Sequence, residues 1–218
     1  MTPEFADAID PVFVYALNVV DRLEKGEKLD PRGEQEQLCR RLEHADALLG
    51  NTPEWKLGRY AIVAWIDEML TDPRWHEWKD GVNWWKNNIL ERREFASSER
   101  ATRFFQQASE ATQFRDRNAL EVYYICVILG FRGVYENPGE NFGIIAEYNL
   151  PPSLENWLVD NAAGIRMGRY PSVEQATDDA PGAPPLEGHA QRAKAFLFFL
   201  FALAALLIVV VVRLVVNP

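Results

Sequence analysis

AIVAWIDEMLTDP, residues 61–73, decides how the rest of the chain is read. An uninterrupted apolar run, Ala61 to Ile66, leads straight into two adjacent carboxylates, Asp67 and Glu68. Ionised side chains are rare in such company unless something holds them there. Upstream, Thr52-Pro53 supplies a cap residue followed by a proline in the first turn, the usual opening of a helix. The helix predicted from it runs through Trp55, Tyr60 and Trp65 to about Leu70. Over 57–70 it is apolar nearly all round, so it belongs at the centre of a helical core.

Helical spacing recurs on both sides of this stretch. Phe5, Ile9, Val12/Phe13, Ala16/Leu17, Val20 and Leu23 form a stripe that Gly26 ends. Leu38, Leu42, Ala45 and Leu49 line one face of a helix over 33–49, closed by Gly50. Asp72-Pro73 repeats the cap-then-proline signal before a short, Trp-rich segment. A further helix is predicted at about 98–113, with Ala101, Phe104/Phe105 and Ala108 on one side. Asn118-Ala119-Leu120-Glu121 has the form of a capping box opening the most apolar helix of this region, which ends at Gly130. That second apolar helix is the other central one. A last helix is expected over about 154–168, after the Pro/Gly-punctuated stretch 136–153. No sustained period-two alternation and no Asn-Gly hairpin signal is present, so the fold class is all-α, a helical bundle.

The chain's 218 residues carry a formal net charge of −9, which disfavours nucleic acid as a partner. Cys39 and Cys126 lie in apolar helical contexts and read as reduced core thiols. Residues 195–212, AFLFFLFALAALLIVVVV, contain no polar or charged residue. At about 1.5 Å per residue they span roughly 27 Å as a helix, close to the hydrocarbon thickness of a bilayer. Arg192 and Lys194 before the span and Arg213 after it favour an N-terminal side facing the cytoplasm. The N-terminus lacks the apolar core of a secretory signal. The expected organisation is a cytoplasmic all-α domain over 1–170 and a Pro/Gly/acid-rich linker over 171–191. A single C-terminal transmembrane anchor over 192–214 and a short non-cytoplasmic tail over 215–218 complete a tail-anchored protein.

Catalytic signatures are sparse. His76-Glu77 begins like a zinc-binding H-E-x-x-H, but Asp80 stands where the second histidine is needed. There is no phosphate-binding glycine loop and no nucleophile elbow. Asp67 and Glu68, being neighbours on a helix, point about 100° apart and form no acid/base pair by themselves. Asp67 has two readings: a structural acid that pairs with an arginine or accepts backbone N–H bonds near Pro73, or part of a docking surface. Trp75, Trp78, Trp84 and Trp85 read first as core and second as a partner patch, with Trp75 and Trp78 sharing a helical face. Arg132 between two glycines is placed to cap helix carbonyls or to reach Asp67. No catalytic, cofactor-binding or metal residue is assigned. A membrane-anchored enzyme would need Asp67, Glu68 and His76 on one deep cleft.

ALEVYYICVILGFRGVY, residues 119–135, resembles a hallmark of the IcmH/DotU family, called TssL in type VI secretion. AIVAWIDEML resembles that family's other hallmark, an apolar helix ending in Asp-Glu. The Trp-rich stretch, the FF of RATRFFQQ and a C-terminal membrane span come in the family's order. The resemblance covers about residues 5–135 plus the anchor. It implies a cytoplasmic domain of two small helical bundles, anchored in the bacterial inner membrane and without catalytic activity. It implies assembly with an IcmF/TssM-like membrane protein and with a TssK-like baseplate subunit, and leaves self-association open. Asp67 and Glu68 fill the acidic hallmark; Glu121, Tyr123, Tyr124, Gly130, Phe131, Gly133 and Tyr135 fill the second, as structural or docking residues. The chain departs from the family over 136–153, and no peptidoglycan-binding domain is expected after the anchor. The expected function is a scaffold subunit of a type VI or type IVB secretion membrane complex. Its rivals are the anchored enzyme and an unrelated tail-anchored adaptor.

Overall fold

The structure is a computed structural model that describes residues 1–169; the linker, membrane span and tail expected over 171–218 lie outside the described residues. Nine α-helices occur among the described residues: α1 (Pro3–Glu24), α2 (Pro31–Leu49), α3 (Pro53–Leu70), α4 (Lys79–Asn87), α5 (Leu90–Phe95), α6 (Arg100–Ala111), α7 (Asn118–Ile128), α8 (Phe142–Glu147) and α9 (Leu154–Arg169). Two 3-10 turns, His76–Trp78 and Gly133–Tyr135, complete them. No strand occurs among the described residues, so the fold is all-helical. No helix among them is long and apolar enough to cross a membrane.

The first three helices open in the same way. Thr2, Asp30 and Thr52 each precede a proline, and each side chain accepts backbone N–H bonds from the first turn. The proline adds a preset φ where no helical N–H is needed. Asp72-Pro73 does not repeat this. Asp72 Oδ1 accepts the Arg74 N–H at 2.8 Å in a local turn, and the next α-helix begins only at Lys79.

α3 and α7 pack together at the centre, as their apolar circumference requires. Twelve residues of α3 are buried, from Trp55 to Leu70. The Cys126 thiol of α7 reaches the Ala61 carbonyl of α3 at 3.6 Å. Both cysteines are buried and free. α1 crosses α3 at Gly58, where a Cβ would lie 3.3 Å from the Phe5 ring. The stripe on α1 is shifted slightly from the one read from sequence: Val19 is fully buried and Leu17 is exposed.

All the tryptophans but Trp84 are buried in the core, and the indole N–H groups of Trp55, Trp65, Trp75, Trp78 and Trp85 each have an acceptor. Trp75 and Trp78 donate to the carbonyls of Met69 and Leu29 at 2.7 and 2.8 Å. They do not share a helical face as expected, because Trp75 precedes the 3-10 turn that contains Trp78. Trp85 donates to Asp67 Oδ1 at 2.8 Å, while Trp84 stays half-buried.

Candidate functional site

Asp67 lies at the last turn of α3 and is fully buried. Besides the Trp85 indole it accepts the backbone N–H of Leu90 at 2.8 Å and of Glu91 at 2.7 Å. These are the opening amides of α5, whose own flanking residue, Ile89, offers no cap. The acid thus accepts backbone N–H groups, but at Leu90 and Glu91 rather than near Pro73, and it makes no ion pair among the described residues. The α4–α5 connection brings α5 back onto the end of α3, a return that sequence spacing does not reveal.

Glu68 points about one residue's rotation away and holds a different segment. Its Oε1 accepts the Arg132 N–H, and both oxygens accept the Gly133 N–H at 3.2 Å. The Arg132 guanidinium caps the Val127 and Phe131 carbonyls at 2.9 and 3.0 Å, so it does not reach Asp67. The two hallmark motifs therefore meet through a carboxylate of the first and backbone amides of the second.

Two further carboxylates do the same work, and both were missed from sequence. Glu91 is fully buried; its oxygens accept the Tyr60 hydroxyl at 2.8 Å and the Glu99 and Arg100 amides at 3.0 and 3.2 Å. Those amides open α6. Glu54 of α3 accepts the Ala119 amide at 3.2 Å and the Asn118 side-chain amide at 3.4 Å, at the start of α7. The capping box expected at Asn118 is absent: Arg117 flanks the helix in a left-handed conformation and Asn118 is already inside it. Its Oδ1 instead accepts the Thr2 N–H at 2.7 Å. Four carboxylates thus cap four helical starts from across the fold, in place of local Ser, Thr or Asp caps. Helix N-termini favour nearby negative charge, which is why each acid sits where it does.

The remaining second-motif residues are mostly packing groups. Phe131 stacks on Phe104 at 3.8 Å, and Tyr123 meets Phe104 edge-on at 4.7 Å. Tyr135 and Trp157 flank Phe105 at 4.9 and 5.4 Å. Gly130 and Gly133 adopt φ of +113° and +51°, conformations open to glycine. Glu121 contacts the Met1 amino group, and Tyr124 is half-buried against the core. His76 lines a separate cavity of about 310 Å³ with Trp75, Lys79 and Lys86, to which neither Asp67 nor Glu68 contributes. Among the described residues no group of three or more His, Cys, Asp or Glu side chains is arranged to hold a metal.

Burial pushes the Asp67 carboxyl up to about 6, although the Glu91 and Leu90 amides and the Trp85 indole pull it down. Burial likewise raises Glu68 against the Arg132 and Gly133 amides. A carboxyl whose folded pKa exceeds its unfolded value adds stability that is complete below the unfolded pKa of about 4 and is lost as pH rises through about 6. The unfolding free energy of the wild type is therefore expected to fall between pH 4 and 6 relative to Asp67→Asn, by up to about 3 kcal/mol. Urea midpoints of both proteins across that window check this; a pH-independent difference contradicts it.

Four acids that accept the amides of helical starts, two of them fully buried, tie the elements of an all-helical domain together. The family model for the type VI secretion system protein DotU matches residues 4–216, and the chain belongs to that family. Among solved structures, the cytoplasmic domain of TssL from Acinetobacter baumannii has a similar fold, with a TM-score of 0.57 at 20% identity, covering 75% of this chain and 98% of that one. No curated protein matches the sequence.

Proposed function

We propose that this chain is an inner-membrane scaffold subunit of a type VI secretion membrane complex, with no catalytic role. The observation that carries the reading is the family match, which runs through residues 195–212, the uncharged stretch long enough to span a bilayer. In this reading residues 195–212 hold the chain in the bilayer and the helical domain, built as two small bundles, faces the cytoplasm. Its surfaces recruit an IcmF/TssM-like membrane protein and a TssK-like baseplate subunit. The mechanism is positional: the anchor fixes where the domain stands, and the internally capped helices fix the shape it presents. Three of the helix-capping acids sit on α3 itself, which supports a rigid presenting surface. Affinity purification of the detergent-solubilised full-length protein from its native cells, followed by mass spectrometry, tests it. Co-purification of an IcmF/TssM-like protein with baseplate subunits is expected. Recovery of neither, with the protein intact in the membrane fraction, contradicts it.

A further inference from the structure

The first half of α3 lines a cavity of about 660 Å³ to which none of the four capping acids contributes. Half-buried Leu57 and Phe95 supply its apolar floor, backed by the buried rings of Trp55 and Tyr60, with the Tyr60 and Phe95 rings edge-to-face at 5.0 Å. Its wall carries Lys56, Arg59 and Arg103 against a single carboxylate, Asp46. Arg59 is already matched, with Nε 3.1 Å from Asp46 and Nη2 2.7 Å from Glu94. Asp46 also accepts the Trp55 indole N–H at 2.7 Å. Lys56 and Arg103 have no ion pair or side-chain hydrogen bond among the described residues; the Arg103 guanidinium only lies over the Tyr60 ring, 5.0 Å from its centroid. A chain of net charge −9 thus presents two unmatched cations beside an apolar floor, in a volume typical of ligand pockets.

We propose that this cavity binds an acidic segment of a partner protein that carries an aromatic or aliphatic side chain beside its carboxylates. The apolar side chain lies on the half-buried Leu57 and Phe95, above the buried Trp55 and Tyr60 rings, and the carboxylates meet Lys56 and Arg103. Apolar contact supplies the affinity and the two cations supply the choice of sign. A phosphate or nucleotide fits less well. The sequence has no glycine-rich loop to cradle one, and the Trp55 amide at the nearby helix start is taken by Thr52. The inference rests on the scaffold reading only for its source, a protein segment rather than a small molecule.

The test titrates the full-length protein in lipid nanodiscs into fluorescein-labelled Asp-Glu-Phe-Glu-Asp and, separately, into Asn-Gln-Phe-Gln-Asn. Saturable binding of the acidic peptide is expected at about 50 mM salt, weakening at higher salt. Lys56→Gln with Arg103→Gln should weaken it at least about tenfold, and so should amidation of the peptide. Lys56→Glu alone, at an exposed position with nothing to unfold, should give a comparable loss. Arg41→Gln, whose side chain lies over Tyr15 away from the cavity, should change nothing. No binding up to about 1 mM, equal binding by the double variant, or equal binding of the amide peptide would overturn the proposal. Peptide binding with no partners in the affinity purification would leave the site standing and remove the scaffold reading. The reverse would remove the site alone.

Discussion

Asp67→Ala is expected to lower the unfolding free energy by about 3–5 kcal/mol and the melting temperature by about 10 °C. The substitution strips the acceptor from three buried donors at once, the Trp85 indole and the Leu90 and Glu91 amides. An orphaned buried donor costs about 1–3 kcal/mol. The sum is discounted because the carboxylate is itself held against burial, as its raised pKa records. Urea denaturation followed by tryptophan fluorescence reads the effect directly, since Trp85 is one of the donors. A change below about 1 kcal/mol, together with lost partner binding, would make Asp67 a docking residue instead.

Gly133→Ala is expected to destabilise by about 3 kcal/mol or more, from two sources that add. At φ +51° an alanine is strained by about 1 kcal/mol. Its Cβ would also lie 2.7 Å from the Ala101 carbonyl oxygen, 3.0 Å from the Phe131 ring and 3.1 Å from the Phe105 ring. The oxygen belongs to the α6 backbone and both rings are fully buried, so none can swing aside. Moving the turn instead would pull the Gly133 amide from Glu68. Gly26→Ala is the internal comparison. That residue also has positive φ, +77°, but nothing lies within 4 Å of a Cβ there, so only the backbone strain of about 1 kcal/mol is expected. Thermal melts of the two variants separate crowding from strain; equal losses would mean that the close packing around Gly133 does not matter.

The helices were legible because their signals are local. Thr52-Pro53, the stripe on α2 and the all-round apolar character of α3 and α7 are properties of neighbouring residues. What holds the helices to one another was only half legible. That Asp67 needs a partner follows from its apolar surroundings. Which amides it takes depends on α5 returning to the end of α3, 23 residues further on. A partial signal existed: Ile89, Glu99, Arg117 and Arg132 flank helical starts without a side-chain cap, which leaves their opening amides open to acids from elsewhere. The capping box read at Asn118 failed for that reason. The same four-residue pattern sits one position inside a helix whose cap comes from Glu54.

The second motif shows why spacing alone does not assign roles. Tyr123, Phe131 and Tyr135 converge on the Phe104–Phe105 pair from three backbone settings, a helix, a turn and a 3-10 turn. Aromatic pairs of this kind favour edge-to-face and offset contacts, which most of the cluster adopts. Gly130 and Gly133 let the chain turn tightly enough to place those rings.

Hydrogen exchange at four amides tests most directly whether two adjacent acids hold two separate segments. Asp67→Asn should speed exchange at Leu90 and Glu91 while leaving Arg132 and Gly133 protected, and Glu68→Gln should do the reverse. Exchange that rises equally at all four amides in either variant, or at none, would contradict the account.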